Sequence, residues 1–151
     1  MNPEVPVPIP LAEIPQDVLD EVRERLWTYA ASVFAVDGAR PLYRGTATCV
    51  AASGKDYLLT AAHVWRELRG ERFALSLEAD RLLISIHKDH VEPTILGPTG
   101  PPEWGPDLAL IELPDILAAD IRQVKAFYNL DKRKPKPGEQ AGYERGLWAV
   151  I

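Results

Sequence analysis

The chain has 151 residues, 46% of them hydrophobic and 26% charged, and this composition fits one soluble globular domain with a sizeable core. Its formal net charge of −5, with no large basic cluster, argues against a nucleic-acid partner. No stretch approaches ~18 uninterrupted apolar residues, so no membrane span is predicted.

The N-terminal MNPEVPVPIP carries no apolar signal-peptide core, and the single cysteine, Cys49, permits no intramolecular disulfide. Together they predict a reducing, cytoplasmic setting. Alternating prolines make residues 1–10 an extended arm. Within residues 11–36, Ile14, Val18, Val22, Leu26 and Tyr29 recur at helical spacing, with Pro15 and Asp17 near the start, and predict an amphipathic packing helix from Gln16 to Ala31. Asp37-Gly38 and Pro41 then mark a turn.

From there the period changes to that of short strands. Candidates are 42–52, 56–61, 71–77, 81–87, 91–96, 107–113 and 122–127, separated by Ser53-Gly54, Gly70, Asp80, Gly97-Pro98 and Pro114-Asp115. Such a series predicts an all-β domain over 37–130, preceded by one helix and built as a closed or sandwiched antiparallel structure. The basic, proline-broken run at 132–137 reads as a linker, and the apolar GLWAVI that ends the chain reads as the start of a further strand, so 131–151 form a separate segment.

The most informative stretch runs from Tyr57 to Val64, an apolar strand passing through Ala61 and Ala62 into His63. A general-base histidine needs a rigid strand end and small neighbours to reach a nucleophile and an orienting carboxylate together. Alone, a histidine after an apolar strand is more often a structural residue than a base. Forty-four residues later, Asp107 stands immediately before the apolar Leu108–Leu113 run, where it either caps a turn after Gly105-Pro106 or fixes the tautomer of a histidine ring.

Taken together, Gly45-Thr46, LLTAAHV at 58–64 and DLALIEL at 107–113 resemble the trypsin-like, chymotrypsin-fold serine peptidases over about residues 40–113. The loop through Gly138 and Gly142-Tyr143 resembles that family's passage into its second barrel. The resemblance implies a six-stranded antiparallel Greek-key β-barrel, the first half of a double barrel, with His63 as general base and Asp107 as its orienting partner. It implies no cofactor and no metal. It also implies a peptide or protein substrate once a second barrel supplies the serine, the oxyanion hole and the selectivity pocket.

The sequence departs from the family in its serines. Ser32, Ser53, Ser76 and Ser85 all precede Asp107, and none has a Gly-Asp-Ser-Gly setting. Ser32 is expected at a helix end, Ser53 in a hairpin turn, and Ser76 and Ser85 in strands. Cys49 on the GTATCV strand reads as a small buried apolar residue. Val64 stands where many secreted animal members have cysteine, and the zymogen-type N-terminus is absent, which points to a bacterial or intracellular relative.

His87-Lys88-Asp89-His90 pairs two histidines with an acid, but at i and i+3 on a strand-to-loop segment they are not expected to converge on a metal. Trp65, Trp104 and Trp148 offer either packing or cleft area. Two functional readings follow. In the first, the chain is the His/Asp half of a serine endopeptidase, inactive by itself. In the second, it is a non-catalytic pseudo-protease or regulatory module that associates through an exposed C-terminal strand, as a homodimer or with a partner chain.

Overall fold

A computed structural model describes residues 11–38, 40–78, 82–96 and 106–133. Helix α1 (Gln16–Trp27) starts after Pro15 and ends where the Thr28 hydroxyl and amide both donate to the Glu24 carbonyl, at 3.0 and 3.2 Å. It stops short of the expected Ala31, because Ala30–Asp37 forms strand β1. None of the helix residues is buried, and Val18 in its apolar stripe is 44% exposed. The other stripe residues, Ile14, Val22, Leu26 and Tyr29, are half-buried. The C-terminal end of the helix is fastened to the body by Lys125 Nζ donating to the Trp27 carbonyl and the Ala126 amide donating to the Thr28 carbonyl.

Seven further strands follow: β2 (Arg40–Ala52), β3 (Lys55–Thr60), β4 (Arg72–Glu78), β5 (Leu82–His87), β6 (Glu92–Leu96), β7 (Leu108–Glu112) and β8 (Tyr128–Asn129). The sheet runs β5-β4-β1-β2-β3-β7-β6 with every pair antiparallel, and β8 joins β2 in parallel off this path. The fold is thus mostly antiparallel β, as expected. The ladder is not closed: among the described residues β5 and β6 remain edges, and the strand count exceeds the expected six.

Alternation sets the core. In β1, Ala31, Val33 and Ala35 are buried, while the residues between them are partly exposed. The small Ala35 pairs with the large Phe73 across β1 and β4, and Val33 pairs with Leu75, so unequal side chains interlock on one face. One apolar cluster takes residues from both ends of the strand path, including Ile86 of β5 and Ile111 of β7. β2 and β3 meet at a two-residue turn in which Ser53 (φ 53°) and Gly54 (φ 76°) both adopt left-handed backbone, the conformation a tight hairpin requires.

Two helices interrupt the strands where none was expected. Helix α2 (Ala62–Glu67) follows β3 directly, and helix α3 (Asp115–Arg122) follows Pro114. The expected strand at 122–127 is replaced by the end of α3 and a turn, with pairing resumed only at Tyr128. Pro114-Asp115 here serves as a helix start, with the acid in the first turn. Arg122 then ties α3 to β3 through a two-pronged ion pair with Asp56, at 3.1 and 2.6 Å, while its guanidinium lies 4.5 Å from the Phe127 ring centre. The proline arm 1–10 and the segment 134–151 lie outside the described residues.

Candidate active site

β3 ends at Thr60, whose buried hydroxyl donates to the Thr46 carbonyl at 2.6 Å and pins the strand end to β2. Ala61 continues in extended backbone (φ −74°, ψ 143°), and α2 begins at Ala62 with its first amides unsatisfied by the helix itself. Because β3 pairs with β7, Thr60 opposite Ala109, the residue preceding β7 arrives beside those amides. That residue is Asp107.

Asp107 meets His63 and its neighbour at three points. Its backbone carbonyl accepts from the Ala62 amide at 3.2 Å, and its Oδ1 accepts from the His63 amide at 3.0 Å. Its Oδ2 faces Nδ1 of the His63 ring in a short hydrogen bond. One carboxylate thereby caps the first turn of α2 and orients the imidazole that this turn carries. The bond from the ring, then the His63 amide and the nearby His63 and Arg66 charges, hold the Asp107 carboxyl below its ordinary range, against an opposing effect of burial. With Nδ1–H directed at the carboxylate, the Nε2 lone pair is the free one, on a side chain 60% exposed.

Gly45 has its own physical reason. A Cβ built there would stand 2.7 Å from Val64 Cγ2, so only glycine lets β2 pass beneath the residue that follows His63. One position earlier, the β1–β2 register slips: Val33 faces Gly45 but Phe34 faces Tyr43, which leaves Arg44 as the extra residue of a bulge. Arg44, Tyr43, Thr46, Thr48, His63 and Leu108 border a surface depression of about 390 Å³. No described serine or cysteine lines it.

The other candidates separate from this site. Ser32 lies in β1 opposite Thr46, not at a helix end. Ser53 occupies the β2–β3 turn, Ser76 donates to the Glu78 carbonyl at 2.9 Å, and Ser85 lies in β5. Cys49 is fully buried, and burial pushes its thiol up to about 11. Trp65 packs edge-on against Phe73 at 5.7 Å with Lys88 above its ring, a packing role; Trp104 and Trp148 lie outside the described residues. His87 and His90 do converge, their ring centres 5.5 Å apart, yet no described group of three or more His, Cys, Asp or Glu side chains is arranged to hold a metal ion.

Sequence reasoning missed the helix that bears His63 and the bulge at Arg44. The first had a readable signal, since His63 to Glu67 continue without a turn residue into a charged end. The bulge had none, because a one-residue register slip leaves no local mark. No protein-family model, curated protein or solved structure matches the chain.

Proposed function

We propose that this chain is the His/Asp-bearing half of a trypsin-like serine endopeptidase. The observation that carries the reading is the doubly bonded Asp107: the same carboxylate fixes the His63 amide and its ring Nδ1, leaving Nε2 toward solvent. In that arrangement Nε2 takes the proton of an attacking hydroxyl, and Asp107 stabilises the imidazolium until the proton passes to the leaving amine.

Other features support the same reading. The order β4-β1-β2-β3, in which the fourth strand returns beside the first, suits a Greek-key arrangement, and the core shared by β5 and β7 suits a sheet curled toward a barrel. Exposed apolar side chains flank the dyad: Leu108 follows Asp107 directly and pairs with Leu96, and they are 42% and 52% exposed. Apolar area beside a catalytic pair suits a covering second barrel that brings the serine and the oxyanion-binding amides.

The test is fluorophosphonate labelling and peptide hydrolysis by the protein encoded in the uninterrupted reading frame. The expected result is one labelled serine outside the described residues, with labelling and hydrolysis lost in His63→Ala. An unlabelled and inactive protein, or labelling of Ser32, Ser53, Ser76 or Ser85 that survives His63→Ala, would overturn the reading.

A further inference from the structure

The chain is acidic overall, with 22 Asp and Glu against 17 Lys and Arg, yet the depression beside His63 has no described carboxylate in its wall. Its charged lining residue is Arg44, joined by the imidazole of His63. Arg44 is exposed and forms no ion pair among the described residues. The wall therefore presents a guanidinium and no carboxylate of its own, the nearest described carboxylate, Asp107, being engaged by His63, a condition that favours a negative ligand at Arg44.

Three features hold Arg44 there. The bulge removes it from the β1 register and so re-aims a side chain that regular pairing would place elsewhere. Gly45, in close approach to Val64, holds the strand beside Arg44 against the helix that carries His63. Tyr43, 58% exposed, is braced edge-on against Phe34 with ring centres 5.7 Å apart, and gives the depression a rigid aromatic flank. β3 ends at Thr60, so β2 from Arg40 to Thr46 has a strand neighbour only on its β1 side among the described residues, and Arg44 is left uncovered.

We propose that Arg44 is a specificity-determining residue that selects an acidic side chain on a peptide lying in the depression beside His63. This rests on the endopeptidase reading for the fate of the peptide, but not for its binding. A guanidinium presents paired N–H donors that match both oxygens of a carboxylate, whereas the amide of a glutamine peptide offers one acceptor oxygen and no charge. Thr46 and Thr48 add hydroxyls to the same wall.

The experiment is an NMR titration of this chain with two extended peptides of identical sequence except for a central Glu or Gln. The Glu peptide is expected to bind ~2–5-fold more tightly at low salt, the upper range for an exposed charged pair, and to shift the Tyr43–Thr46 and His63–Val64 amides. Arg44→Gln should abolish the difference, and Arg44→Glu should reverse it in favour of a central Lys. Arg40→Gln, on the same strand and also exposed but outside the depression, should leave it unchanged. Amides of β4 and β5 report folding in each variant. Equal or absent binding of the two peptides, a preference that survives Arg44→Glu, or an equal loss in Arg40→Gln would overturn the inference. Binding does not require bond cleavage, so absent hydrolysis with an intact preference would count against the endopeptidase reading alone.

Discussion

Asp107 and His63, 44 residues apart in sequence, are joined twice: Oδ1 accepts the His63 amide and Oδ2 the ring Nδ1–H. The two bonds have separable consequences, because an amide side chain still offers one oxygen to the backbone but cannot hold the imidazolium. Asp107→Ala should lower the unfolding midpoint and disorder α2, while Asp107→Asn should recover most of that loss. On the endopeptidase reading both should also lower kcat, with Asp107→Asn costing ~10⁴-fold as the ring loses its tautomer. Urea melts compared with hydrolysis rates check this; equal stability of the two variants would refute the capping role.

The same bonds set an acid limit. Because the Asp107 carboxyl lies below its ordinary 3.8 in the fold, the unfolded chain binds more protons than the folded chain in the interval beneath that value. Its contribution is full above about pH 4 and is lost as pH falls through the folded value. Asp107→Asn should flatten this part of the stability profile, as read by circular dichroism melts across the acid range.

Gly45 couples the depression to the dyad. An added methyl would meet Val64 Cγ2 at 2.7 Å, so Gly45→Ala should cost about 1–3 kcal/mol and displace the first turn of α2. Val64→Ala removes the obstructing methyls, so the alanine at position 45 should cost much less in that background. A urea double-mutant cycle measures the coupling, and additive losses would show that the contact relaxes freely.

How far the site could be read from the sequence follows from these contacts. His63 and Asp107 were legible because each ends or begins an apolar run, and a run of that kind positions its neighbour predictably. What those residues rest on was less legible. β1 was lost in an alanine-rich stretch, since Ala30 and Ala31 suit a helix locally and become strand only when paired with Thr48 and Ala47. α2 falls in the interval between the expected strands 56–61 and 71–77, to which no element is assigned, and Pro114-Asp115 reads as a break between strands where it starts a helix. Gly45 was seen as a motif glycine, but its cause, Val64 packed above it, is a tertiary contact with no local signature.

Lys125 supplies a further stability prediction. Its ammonium is buried, donates to the Trp27 carbonyl at 2.6 Å and lies 3.9 Å from the Trp27 ring centre, which fastens the end of α1 to the body. Lys125→Met keeps the stem but leaves that carbonyl without its donor, so a loss of ~1–3 kcal/mol and faster amide exchange in α1 are expected. Burial holds the Lys125 pKa below its ordinary 10.5, so near that value the folded chain binds fewer protons and stability rises with pH. Lys125→Met should remove this rise; an unchanged alkaline profile would show that the ammonium is solvated.

Cys49 tests whether any nucleophile other than a serine is available. It is fully buried in β2, and burial pushes its thiol up to about 11. Relative to a free thiol of pKa ~8.5, ionisation alone then slows thiolate chemistry at pH 8 by about two orders of magnitude. Closure of the core around the sulfur slows it further. The native chain should therefore resist Ellman's reagent at pH 8 and react fully and rapidly once unfolded in urea. Fast native labelling would mean that the strand opens at Cys49; slow labelling fits a small buried core residue and leaves the thiol without a nucleophilic role.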